Sequence, residues 1–257
     1  MAQHPLLSVI IPAYNEEENF KANKLDQVER YLKKQKYSWE VIVVDDGSID
    51  QTANLIGSWI KPKKNWRLIK NKHFGKAKTV EVGMLAATGE IRLCTDFDQA
   101  TPIQEVKKVI NKINQGVDIV IGSREVSGAS RSNEPLLRHI MGRVFNICVQ
   151  ILALRGISDS QCGFKAFTDK ATIDLFNKII VYKNHQVKDA YMGAFDVELL
   201  FLARKSGYKI AQIPVKWKYV HSTRVSAMKD SIRMLLDILK IRLNHISGRY
   251  HLNHIVR

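Results

Sequence analysis

Residues 40–48 read Glu40-Val-Ile-Val-Val-Asp-Asp-Gly-Ser48. Four consecutive β-branched apolar residues, closed by two carboxylates and a glycine, describe a strand buried on both faces that opens into a polar loop. The pattern recurs. Leu7-Ser-Val-Ile-Ile11 runs into Pro12-Ala-Tyr-Asn-Glu16, Arg67-Leu-Ile69 into Asn71, Glu90-Ile-Arg-Leu-Cys94 into Asp96-Phe-Asp98, and Asp118-Ile-Val-Ile-Gly122 into Ser123-Arg124. Between these runs, Glu17 to Lys34, Thr52 to Ile60, Lys76 to Ala87 and Ile103 to Ile113 carry helical spacing. Repeated βα crossovers predict an α/β fold: a Rossmann-like, mostly parallel sheet flanked by helices. In such sheets ligands bind beyond the carboxyl ends of the strands, so five polar loops converge on one rim.

The second half is less regular. Leu136 to Leu154 reads as a helix with an apolar side (Leu137, Ile140, Val144, Ile147, Ile151) and basic residues Arg138, His139 and Arg143. A loop from Gly156 to Gly163, a short strand near Phe164 to Phe167, a helix from Phe195 to Lys205 and one strand from Tyr208 to Tyr219 follow. Met228 to Ile246 reads as a final amphipathic helix. The expected organisation is a catalytic-size unit over 1–225 and a basic amphipathic helix and tail over 226–257, without repeats or low-complexity linkers.

With 257 residues, 45% of them hydrophobic, the chain buries a substantial core and is neither disordered nor collagenous. Cys94, Cys148 and Cys162 are odd in number and far apart, which predicts a reducing, cytoplasmic compartment. Neither a signal peptide nor a membrane-spanning stretch is expected. A net charge of +15 calls for an anionic partner: nucleic acid, a membrane face or a phosphorylated small molecule. No helix-turn-helix, zinc finger or RNP motif is present, so nucleic acid is not expected.

Asp96-Phe-Asp98 carries the sharpest chemistry. Two carboxylates at i and i+2 beyond a buried strand can turn toward a divalent ion shared with phosphate oxygens. The same pair also reads as a strand cap, Asp96, and a helix opening, Asp98. Together with Ile10-Ile-Pro-Ala-Tyr-Asn-Glu-Glu-Glu18 and Val44-Asp-Asp-Gly-Ser-Ile-Asp-Gln-Thr52, it resembles the family 2 glycosyltransferases of GT-A fold over nearly the whole chain. Asp159-Ser-Gln-Cys-Gly-Phe-Lys165 and Phe195-Asp-Val-Glu-Leu-Leu200 narrow the resemblance to the polyprenyl-phosphate branch, most closely to dolichyl-phosphate β-glucosyltransferases; dolichyl-phosphate mannose synthases share much of the pattern.

The resemblance implies an inverting transfer of glucose from UDP-glucose, or of mannose from GDP-mannose, to a polyprenyl or dolichyl phosphate. It implies that Pro12, Ala13, Tyr14, Asn15, Glu16, Asp45, Asp46, Gly47, Asn71, Lys76 and Asp96 hold the nucleotide, and that Asp96 and Asp98 hold manganese or magnesium. Asp98, Arg124, Asp159 and Asp196 are the catalytic candidates. Arg124, Arg131, Arg138 and Lys165 are candidates for the acceptor phosphate, since guanidinium groups grip phosphate oxygens in pairs. A phosphate acceptor is already anionic and needs no strong base; a hydroxyl acceptor would need one, from Asp159 or Asp196. Asp196 alternatively caps its helix, and Asp159 a turn. Two positions depart from the family. Its N-x-G-K-G is here Asn71-Lys-His-Phe-Gly-Lys-Ala-Lys78, and Phe97 replaces an alanine.

Cys162 reads as a packed thiol. The stripe Ile232, Leu235, Leu236, Leu239 and Leu243, with Arg233, Lys240 and Arg242 off its centre, either packs on the core or lies on an anionic leaflet. From 216 to 257 nine Lys or Arg face two Asp. The latter alternative makes the chain a peripheral protein of a membrane's cytoplasmic face.

Overall fold

The five expected runs form β1 (Leu7–Ala13), β2 (Trp39–Asp45), β3 (Trp66–Lys70), β4 (Ile91–Cys94) and β5 (Ile119–Ser123) in a computed structural model that describes residues 4–182, 193–220 and 227–250. Along them come α1 (Glu17–Lys21), α2 (Lys24–Leu32), α3 (Thr52–Ile60), α4 (Lys76–Ala86) and α5 (Val106–Asn114). The single helix expected over 17–34 is two, because Asn23 takes a left-handed conformation, φ 57°, that asparagine tolerates.

The remaining elements are β6 (Ser130–Ser132), α6 (Leu136–Leu152), β7 (Lys165–Thr168), α7 (Asp169–Phe176), α8 (Phe195–Lys205), β8 (Ile210–Pro214), β9 (Lys216–Lys218) and α9 (Ala227–Ile246). The seven-stranded sheet has the order β3-β2-β1-β4-β7-β5-β8. All its pairings are parallel except those of β7, which runs antiparallel between β4 and β5. The long strand expected over 208–219 breaks at Val215, and β9 leaves the main sheet to pair with β6. Helix α7 was not expected; Thr168 caps it by accepting from the Ala171 N–H.

Alternation along the strands loads both faces of the sheet. Val9, Ile11, Val41 and Val43 pack under α2, α3 and α5, while Ile10, Ile42 and Val44 pack under α4, α7 and α8. Helix α9 adds Met234, Ile238 and Ile241 to the second cluster. The stripe read from the sequence is therefore not the packing face: Ile232, Leu236, Leu239 and Leu243 are exposed and Leu235 half-buried. The apolar side read on α6 is exposed too, from Leu137 at 71% to Ile151 at 77%. Among the described residues no helix is long and apolar enough to cross a membrane. His221 and the tail 251–257, with His251 and His254, lie outside the described residues.

Candidate active site

The loops leaving β1, β2, β4 and β5 enclose a cavity of about 400 Å³, closed on its far side by residues 158–163, β9 and the inner sides of α6 and α9. Pro12, Ala13, Tyr14, Glu16, Asp46, Lys76, Asp96, Asp98, Arg124, Arg131, Arg138, Asp159 and Asp196 all line it. Candidates drawn from seven separate stretches of sequence thus share one space.

Asp96 and Asp98 differ in environment. Asp96 Oδ1 accepts from Lys76 Nζ at 2.7 Å. Burial opposes its charge, but Lys76 outweighs burial and holds the carboxyl below the ordinary carboxylate range. Gly163 stands so close that a Cβ there would lie 1.9 Å from Asp96 Oδ2. Asp98 Oδ1 accepts the Ala100 N–H at 2.9 Å. Burial, reinforced by the charge of Asp96, pushes the Asp98 carboxyl up to about 6. Two buried carboxylates crowded together with Lys76 paired only to Asp96 leave negative charge that a hard divalent cation would offset, and the pair fits one. Among the described residues no cluster of three or more His, Cys, Asp or Glu offers a complete ligand set, so further oxygens would come from bound phosphates. Phe97, between the two carboxylates, is 2% exposed and belongs to the core as well as to the cavity wall.

Not every nucleotide candidate reaches the cavity wall. Asp45 is buried and turned back on its own loop, accepting from Ser48 Oγ at 2.5 Å and Ser48 N at 3.2 Å. Asn15 stitches two loops, its Oδ1 accepting the Ile49 N–H at 3.0 Å and its own N–H donating to Ser48 Oγ at 2.9 Å. Gly47, at φ 73°, lets the Asn71 carbonyl approach to 3.4 Å of where a Cβ would be. These four, Asn71 included, shape the pocket from behind.

Arg124 forks onto Asp159 through Nε at 2.7 Å and Nη2 at 2.9 Å. Burial works against the Asp159 charge, yet Arg124 prevails and keeps the carboxyl low. Arg131 binds Glu125 and Glu134, and both guanidinium groups lie over Trp217, Arg124 at 5.1 Å and Arg131 at 5.8 Å. Arg138 lies 5.1 Å over Tyr219. Lys165 departs from expectation as a phosphate ligand. It is 3% exposed, lies behind the cavity wall, and pairs with Asp196 Oδ1 at 3.0 Å and with the Cys162 carbonyl. Cys162 is buried, its thiol raised by desolvation.

Sequence reasoning passed over Trp217, Tyr219, Glu125, Glu134, His73 and Gly163. Trp217 and Tyr219 fall within the single strand read over 208–219, and what brings them to the cavity is the pairing of β9 with β6.

The sequence profile of Glycosyl transferase family 2 matches residues 8–176. The chain is 36% identical to a dolichyl-phosphate beta-glucosyltransferase of Dictyostelium discoideum over 94% of its length and 75% of the relative's. It is 32% identical to the human protein of that name, covering 96% of this chain and 78% of the relative. In fold it is similar to glucosyl-3-phosphoglycerate synthase of Mycobacterium tuberculosis solved with Mn2+, UDP-glucose and phosphoglyceric acid, with a TM-score of 0.64 at 16% identity over 95% of this chain and 80% of that one. A mannosyltransferase of Pyrobaculum calidifontis solved with GDP-Man and Mn2+ gives 0.58 at 20% identity, over 96% and 65%. The fold is GT-A, and the chain belongs to glycosyl transferase family 2, among whose members it is similar to dolichyl-phosphate beta-glucosyltransferases.

Proposed function

We propose that the protein is an inverting glucosyltransferase that moves glucose from UDP-glucose to a dolichyl or polyprenyl phosphate at a membrane surface. One observation carries the reading. A single cavity is lined both by a crowded carboxylate pair and by four arginines, Arg124, Arg131, Arg138 and Arg143, a combination suited to holding two phosphate-bearing substrates together against their mutual repulsion. The relatives' names supply the sugar and the lipid.

In this reading Asp98 and Asp96 hold a divalent cation, which when bound offsets charge on the leaving diphosphate. Tyr14, Glu16 and Asp46 receive the nucleoside. The acceptor phosphate lies among Arg124, Arg131 and Arg138, and one of its oxygens attacks the anomeric carbon. The bond from that carbon to the diphosphate breaks on the opposite face, giving inversion. The carboxylates that could serve as a base are both committed: Asp159 to Arg124 and Asp196 to Lys165. That favours an acceptor that arrives already ionised.

Membrane attachment rests on the outer faces of the two helices whose inner sides wall the cavity. Of fourteen exposed large hydrophobic residues among the described ones, six lie on α6 and five on α9. Arg138 and Arg143 of α6 turn to the cavity; residues 144–155 carry Arg155 and no acid, and 231–250 carry Arg233, Lys240, Arg242 and Arg249 against Asp237. An apolar face edged with cations suits an anionic leaflet. The three free cysteines accord with the reducing, cytoplasmic side.

The test is incubation with Mn2+, a short polyprenyl phosphate, and UDP-glucose or GDP-mannose in parallel. Glucolipid from UDP-glucose is expected; mannolipid alone would reassign the donor, and neither product would overturn the reading.

A further inference from the structure

The loop between β3 and α4 is where this chain leaves the family's glycine-rich pattern, with His73 and Phe74 set before Gly75. The His73 ring stacks on Tyr14, centroids 4.3 Å apart and planes inclined by 15°. Its Nδ1 stands 2.9 Å from Asp46 Oδ2. An ionised carboxylate only accepts, so Nδ1 carries the proton and donates. The same carboxylate takes the Phe74 N–H on Oδ1 at 3.0 Å and the Gly75 N–H on Oδ2 at 2.8 Å. Its side chain is 4% exposed. The loop is thus wrapped around Asp46, and His73 forms part of the cavity wall.

A nucleobase would ask two things of this wall: an aromatic face to stack on and an acceptor for a ring N–H. One heterocycle of the chain already takes both. No second ring fits between, because a ring inserted with contact on both sides needs roughly 7 Å. We propose that His73 is an internal stand-in for the nucleobase, holding the Tyr14 face and the Asp46 carboxylate until the donor's base displaces it.

This rests on the nucleotide-sugar reading above and adds a selectivity. Uracil and guanine carry a ring N–H to replace that of His73; neutral adenine and cytosine have none on that edge and offer only an exocyclic amino donor, displaced from the ring position that His73 Nδ1 mimics. His73 therefore sets donor affinity and screens the base. It acts by competing, where the other residues of the wall act by binding.

The test is calorimetric titration of UDP, with ADP as control, in the presence of Mn2+, into the wild type, His73→Ala and His73→Phe. Removing a stacked ring and a charge-assisted hydrogen bond that the base must break is expected to tighten UDP binding about tenfold in His73→Ala. His73→Phe keeps the ring and lacks the N–H, so its affinity falls between the two; it also carries the comparison should the alanine variant fail to fold. ADP stays the weaker ligand of the wild type. Unchanged or weaker UDP binding in both variants overturns the stand-in and makes His73 part of the base's platform. An absence of UDP binding in all three proteins overturns the nucleotide reading itself.

Discussion

Arg124 holds Asp159 three times over: Nε donates to Oδ2 at 2.7 Å, Nη2 to Oδ1 at 2.9 Å, and the Arg124 backbone N–H to Oδ2 at 3.0 Å. Oδ1 also accepts the N–H groups of Gln161 and Cys162, each at 3.2 Å, so one carboxylate organises the loop that closes the cavity. Asp159→Asn keeps the volume and leaves a largely buried guanidinium without its counterion. A stability loss of about 3 kcal/mol by urea denaturation is expected alongside lost transfer. An inactive variant of wild-type stability would instead make Asp159 a base.

Asp98 makes little structural commitment beyond the Ala100 N–H. Asp98→Ala is expected to cut kcat at least ~100-fold while the melting temperature stays near that of the wild type. Chelation of divalent metal from the wild type should act in the same direction. Undiminished turnover in the variant removes the cation from these carboxylates.

Gly163 has no room for a side chain against Asp96. Gly163→Ala must push either the loop or the carboxylate aside, so weaker Mn2+-dependent UDP binding by at least about tenfold is expected in titration. Wild-type affinity would mean that Asp96 does not contribute to the cation site.

Glu198, fully buried on α8, accepts on Oε1 from the N–H groups of Ile180 at 2.9 Å and Val181 at 3.0 Å and from Tyr250 Oη–H at 2.7 Å. Burial raises its carboxyl above the ordinary value of 4.5. The native state therefore keeps this proton longer than the unfolded chain, and its stabilising share is lost as pH rises from 4.5 through the raised value. Glu198→Gln retains an acceptor and never ionises. The stability of Glu198→Gln relative to the wild type should grow between about pH 4 and pH 7 in denaturant titrations; a pH-independent difference would show that Glu198 titrates normally.

The α6 and α9 faces make a prediction independent of catalysis. The wild type should sediment with anionic vesicles, less so as salt screens the basic border. Val144→Asp combined with Leu239→Asp, both at exposed positions, should abolish sedimentation and leave transfer to a short, soluble acceptor in place. Equal sedimentation of wild type and variant would give these faces another occupant.

The sequence made β1, β2, β4 and β5 legible because each is a run of apolar, mostly β-branched residues ending in a polar loop, and those loops carry Tyr14, Asp46, Asp98 and Arg124 to one place. What escaped depends on pairing between distant segments. Nothing local in Trp217 says that β9 leaves the main sheet for β6 and slides the ring beneath two arginines. Lys165 looked like a free cation because its burial is decided by β4 and β5 on either side. The exposed stripes of α6 and α9 were visible as patterns, but only neighbouring elements could decide which side of each helix the core would take.

The reversed direction of β7 has a geometric result for catalysis. A strand that ran with its neighbours would begin at the far end of the sheet and carry its preceding segment away from the carboxylates. Because β7 runs the other way, its first residue, Lys165, registers with Cys94 on one side and Ile121 on the other. The chain therefore delivers Asp159 and Gly163 to the strand ends that bear Asp96 and Arg124. One inverted strand converts a nucleotide-binding half-sheet into a two-substrate vessel, its floor given by the parallel strands and its lid by the approach to the antiparallel one.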